Sequence, residues 1–66
     1  MTDRGKFMVY CVEVYKNAKR LTGRQVSSLF SEYDVWDYVY SCFDALHTTG
    51  EKYIINDIDL FIQARQ

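Results

Sequence analysis

These 66 residues contain no proline and only three glycines. Proline breaks helix interiors and glycine loosens them, so the chain carries few interruptions and favours continuous helices. No run of apolar residues approaches the roughly 20 that a membrane-crossing helix requires. The run Phe7–Val12 is short, Asp3 precedes it and no small-residue cleavage site follows, so no secretion signal is read. There are only two cysteines and one histidine. With no export signal, two cysteines fit a reducing cytoplasm, and cytoplasmic is the expected location. No CxxC spacing exists, and Cys11, Cys42 and His47 are the only soft ligands, so neither a metal nor any other cofactor is expected. No glycine-rich phosphate loop is present.

What the chain does have is rings. Six tyrosines, four phenylalanines and one tryptophan make 17% of it aromatic, and 48% is hydrophobic. That composition opposes disorder, which goes with few aromatics and high net charge. A chain this short buries only about 60% of the surface its unfolded form exposes, so it needs close packing, a staple or a partner. One domain over residues 1–66 is expected. Net charge is −1 but uneven. Residues 1–24 hold six basic and two acidic groups, a net +4, and residues 25–66 hold two basic and seven acidic, a net −5. Such asymmetry can orient a partner or a homodimer.

The pattern predicts an all-α, compact four-helix domain, with helices at about 4–20, 23–32, 35–47 and 57–64 and a short extended segment at 52–55. In the first helix Phe7, Tyr10, Cys11, Val14, Ala18 and Leu21 keep helical spacing. The stretch Phe7–Val12 alone has strand character, and the continuation to Leu21 favours helix. Thr22-Gly23-Arg24-Gln25 reads as a capping box, with Leu21 and Val26 as its hydrophobic staple. Asp34 is read as the N-cap of the third helix and Asn56 as that of the fourth, with Asp37, Asp57 and Asp59 in the first turns, where the helix dipole favours negative charge. Lys52–Ile55 reads as extended.

Each chemically capable residue has a structural reading beside its functional one. Cys11 and Cys42 fall on apolar faces and read first as small buried hydrophobes, with an interhelical disulfide as the alternative. His47 ends a helix, where the dipole favours a cation or donor. A general base would need a nucleophile held beside it, and Thr48 and Thr49 are neighbours only in sequence. Most of the carboxylates are accounted for, with Asp34, Asp37, Asp57 and Asp59 at helix starts. No catalytic residue is assigned, the protein is not expected to be an enzyme, and no small-molecule substrate is expected.

The basic residues Lys16, Lys19, Arg20 and Arg24 are the nucleic-acid alternative. The first three also suit the C-terminal end of a helix. Helices two and three resemble a helix-turn-helix in outline. The helix that would read the groove carries Asp34, Asp37 and Asp44 and no Lys or Arg, so phosphates would repel it and nucleic acid is an unlikely partner.

The remaining signal is apolar excess. At about 100° per residue, helix three is polar only at Asp37, Ser41 and Asp44, which leaves an apolar arc roughly 220° wide. Val35, Val39, Cys42 and Leu46 centre it, and Trp36, Tyr40, Phe43 and His47 extend one side. In helix one Met8, Val12 and Tyr15 widen a face centred on Phe7, Cys11, Val14, Ala18 and Leu21. These seven residues, Met8, Val12, Tyr15, Trp36, Tyr40, Phe43 and His47, form the expected partner-binding set, since Trp, Tyr and Met are enriched at interfaces. The competing reading is tyrosines half-buried with hydroxyls in water.

The segments VYCVEVYK (9–16), LTGRQVSSLF (21–30), DVWDYV (34–39), LHTTG (46–50) and YIINDIDLFI (53–62) resemble a family of short bacterial proteins of unknown function, nearly end to end. Members are often encoded beside ADP-ribosyltransferase-like toxin genes, which implies an antitoxin or accessory role. The family brings no catalytic residues to carry over, although its pattern puts weight on His47 and Asp57. The expected function is therefore a non-enzymatic protein-interaction module, with a protein partner or a homodimer, and the nucleic-acid regulator as the alternative.

Overall fold

The computed structural model describes residues 3–66. Within them the chain is all-α, in the order α1 (Asp3–Lys19), α2 (Gly23–Glu32), α3 (Val35–Ser41), α4 (Phe43–Leu46) and α5 (Glu51–Arg65). Helix α1 packs on α2, α3 and α5, and α3 also touches α2 and α5. One core results, from Phe7, Cys11, Tyr15, Val26, Phe30, Val35, Val39, Leu46, Ile54, Ile58 and Ile62, all buried. Burying apolar side chains of this size contributes about 1.5–3 kcal/mol each, so a few such contacts decide whether so small a domain folds.

The joint between α1 and α2 follows from local chemistry. Arg20 takes a left-handed conformation, φ 57°, and the Leu21 N–H donates to the Lys16 carbonyl at 3.0 Å. This is the six-to-one bond of a Schellman motif, which satisfies a carbonyl left open by the helix end. The next residue starts α2. Thr22 Oγ1 accepts from the Gln25 N–H (3.1 Å), and Gln25 Oε1 accepts from the Thr22 N–H (2.9 Å). The capping box is thus present as the sequence predicts.

Three expectations are corrected. The extended segment at 52–55 is helical, part of a 15-residue helix that starts at Glu51 rather than Asp57. Tyr53, Ile54 and Ile55 have high strand propensity, but Ile54, Ile58 and Ile62 recur every four residues and all three are buried. Tertiary burial of that stripe overrides local propensity. Gly50 is the N-cap, and Asn56 lies inside the helix.

Asp34 stands at the N-cap position of α3 as expected, but its side chain makes no capping hydrogen bond there. It sits at φ 59°, directly after the α2 C-cap Tyr33, whose N–H donates to the Leu29 carbonyl at 3.2 Å. Aspartate serves here as the left-handed residue that turns the chain. The third correction is a break in the predicted helix 35–47. Cys42 (φ −97°, ψ 14°) separates α3 from α4. Val35 and Val39 before the break and Leu46 beyond it are all buried, as the wheel through 35–47 places them.

Candidate interaction surface

The break at Cys42 positions the most conspicuous exposed feature. The open carbonyl of Tyr40, in the last turn of α3, accepts from Arg4 Nη1 at 3.3 Å. A cation at a helix C-terminus is favoured by the open carbonyls and the dipole. The Arg4 guanidinium lies over two rings, 5.2 Å from the Tyr40 centroid and 5.0 Å from that of Phe43. It also meets Asp44 at 3.8 Å. That ion pair adds little, because the Asp44 side chain is almost fully in water.

Around Arg4 the rings form a chain. Phe7 stacks with Tyr10 (6.2 Å) and meets Phe43 edge-on (5.6 Å), and Phe43 stacks with His47 (4.4 Å, planes 12° apart). His47 Nδ1–H donates to the Phe43 carbonyl at 2.8 Å. In the neutral ring this leaves Nε2 as the acceptor. Phe7 anchors the chain in the core, whereas Tyr10, Tyr40 and His47 stand in solvent. Tyr10 is 43% exposed and Tyr40 is 53% exposed. Arg4, Tyr10, Tyr40, Phe43 and His47 together make an aromatic ledge across the start of α1 and the α3–α4 joint.

The seven residues expected to bind a partner are divided by the structure. Tyr40, Phe43 and His47 come together on the ledge. Tyr15 is inside: it is 5% exposed, meets Phe30 edge-on at 5.5 Å and donates its hydroxyl to Asp59 Oδ1 at 2.7 Å. Burial first, and the Asp59 carboxylate second, raise its pKa above the ordinary 10.0. Trp36 is half-buried against Phe30 (5.3 Å), and its indole N–H donates to Ser31 Oγ at 3.1 Å. Met8 and Val12 are half-buried against the core. The apolar arcs read from the wheel are thus largely used within the domain. Arg4 and Tyr10 were missed, because Arg4 lies more than 30 residues from the rings it joins and no local pattern marks that contact.

The basic group is dispersed. Lys16 pairs with Glu13 (3.2 Å) and Lys19 with Asp59 (2.6 Å), Arg20 forms the turn, and Arg24 is exposed in the first turn of α2. Cys11 and Cys42 are free thiols, and burial pushes the Cys11 thiol up to about 12. Among the described residues no three His, Cys, Asp or Glu side chains gather as a metal ion would require, and no pocket forms. No helix there is long and apolar enough to cross a membrane.

Residues 6–65 match the family described as Protein of unknown function (DUF3791). The chain belongs to that family. No curated protein and no solved structure matches it. The DUF3791 match takes in all of the ledge except Arg4, and all of α5.

Proposed function

We propose that this DUF3791 domain is a non-catalytic protein-interaction module whose contact surface is the aromatic ledge. One observation carries the reading: the rings of Tyr10 and Tyr40 are held in water by packing on Phe7 and Arg4, where the fold itself does not need them covered. Rigid aromatic side chains beside an arginine are the residue types that dominate binding energy at protein interfaces. Stacking and the Arg4 contacts fix the rings beforehand, so little side-chain entropy is lost on docking. In the antitoxin or accessory role that the bacterial family resemblance implies, the occupant is a toxin-like enzyme encoded nearby, and the domain acts in the cytoplasm.

The test is co-purification from the native host, followed by titration of the purified captured protein against the wild type and a Tyr10→Ser/Tyr40→Ser variant. Both side chains are exposed, so the variant keeps its fold. The reading requires that variant to bind at least about tenfold more weakly. Equal binding by the two proteins overturns it.

A further inference from the structure

Arg4 is fixed on the ledge by uncharged groups, and its charge has no close counter-ion. Its guanidinium carbon lies over the Tyr40 and Phe43 rings, and Nη1 donates to the Tyr40 carbonyl at 3.3 Å. The carboxylate paired with it is Asp44, but Nη2 and Oδ2 stand 3.8 Å apart, beyond hydrogen-bond reach. The Asp44 side chain is 86% exposed, whereas that of Arg4 is 35% exposed. The cation is thus largely withdrawn from water, while its anion is almost wholly hydrated.

A protein that covers the ledge removes Arg4 from the water it still has. A guanidinium carries five N–H donors and keeps its charge at every ordinary pH. Covering such a group without a hydrogen-bonded anion is costly, and a well-placed anion offsets that cost. The planar fork of arginine matches a carboxylate through two parallel bonds. The Tyr40 and Phe43 contacts hold that fork in place before anything docks, which lowers the entropy lost on binding.

We propose that the protein docked on the ledge sets an Asp or Glu carboxylate against Arg4, taking the place of Asp44; this rests on the ledge being the contact surface and names what its occupant carries there. The wider field does not select the partner. Asp3 and Lys6 in α1 and Asp37 in α3, all exposed, carry both signs, and exposed charges at a distance are screened by salt. Selection comes from contact with Arg4. Asp44 opposes the incoming anion, because it repels that anion and stands beside the same guanidinium. Removing its charge should therefore strengthen binding of a carboxylate. Were Asp44 itself the counter-ion in the complex, the same change would weaken binding.

The test is a fragment titration of the full chain, followed by the resonances of Arg4, Tyr10, Tyr40 and His47. Phenylacetate supplies a ring and a carboxylate that is ionised at neutral pH, and phenylacetamide is its uncharged counterpart. Fragments of this size bind in the mM range. In the wild type the acid should bind about three- to fivefold more tightly than the amide. Asp44→Asn should tighten the acid about twofold and leave the amide unchanged. Arg4→Gln should bring the acid to the level of the amide. Asp44 is exposed, so Asp44→Asn keeps the fold and decides the sign even where Arg4→Gln loosens the first turn of α1. An acid no tighter than the amide, a preference that survives Arg4→Gln, an acid not tightened by Asp44→Asn, or no movement of the ledge resonances up to about 50 mM phenylacetate would each overturn the proposal. The ledge as contact surface fails on a separate measurement, undiminished binding of the captured protein by Tyr10→Ser/Tyr40→Ser, so the two failures are told apart.

Discussion

Tyr15 and Asp59, 44 residues apart, are joined by a 2.7 Å hydrogen bond that ties α1 to α5, and Lys19 closes on the same carboxylate at 2.6 Å. The tyrosine ring is in the core while its hydroxyl reaches the edge, where the carboxylate can keep partial contact with water. Charge-assisted bonds of this kind contribute about 1.5–3 kcal/mol. Tyr15→Phe keeps the ring and removes the donor, and should lower stability by about 1–2 kcal/mol in urea unfolding. Asp59→Asn should cost at least as much, because it also discharges the partner of Lys19.

Alkaline pH should weaken the fold through three groups. Burial raises the pKa of Tyr15 and Tyr38 above the ordinary 10.0, with the Asp59 and Asp57 carboxylates adding to the shift. Burial takes Cys11 from 9.0 to about 12. A group whose pKa is raised on folding binds its proton more tightly in the folded state. Its contribution is complete below the unfolded pKa and is lost as pH climbs toward the folded one. The urea midpoint should therefore show no loss from these groups at neutral pH and should fall above about pH 9. Tyr15→Phe and Cys11→Ala should each flatten that decline, measured against their own neutral-pH stability.

The left-handed residues make a prediction of opposite sign to that of a capping role. Non-glycine residues in this conformation cost roughly 1–2 kcal/mol, so Arg20→Gly and Asp34→Gly should stabilise by about 0.5–1 kcal/mol. In a domain of this size that raises Tm by several degrees, on the order of 4–8 °C per kcal/mol. A capping Asp34 would instead lose stability on change to glycine, by a few tenths of a kcal/mol. Calorimetry on Asp34→Gly separates the two roles by direction alone.

The register of α5 can be checked by comparing inward with outward positions. Ile58 is fully buried and Leu60 is exposed. Ile58→Ala should cost about 2–5 kcal/mol, enough to unfold most of a marginal domain. Leu60→Ala should stay within about 0.5 kcal/mol when measured at low protein concentration.

Much of the fold was legible in the sequence, for physical reasons. The capping box at Thr22–Gln25 needs only residues three apart, and the faces of the first two helices repeat over several turns. The errors fall where local and non-local forces compete. Tyr53-Ile54-Ile55 looks extended in isolation, yet the Ile54–Ile58–Ile62 spacing carried the contrary signal. Asp34 belongs equally well to caps and to left-handed turns, and only φ distinguishes them. The break at Cys42 has no breaker residue to announce it. Only Tyr40, Phe43 and His47 of the seven expected surface residues meet on the ledge, because Tyr15 finds its partner 44 residues away and Met8, Val12 and Trp36 pack against the domain's own core. Tyr10 joins them by stacking on Phe7 three residues earlier in α1, whereas Arg4 joins through contacts more than 30 residues away that no local pattern encodes.

The central claim is that the Tyr10–Tyr40 ledge binds a protein. The most direct measurement is calorimetric titration of the host protein that co-purifies with the domain, against the wild type, Tyr10→Ser/Tyr40→Ser and Leu60→Glu. The account predicts saturable binding to the wild type and to Leu60→Glu, and a loss of at least about tenfold in affinity for the ledge variant. Undiminished affinity in the ledge variant, or no saturable binding by the wild type, would contradict it.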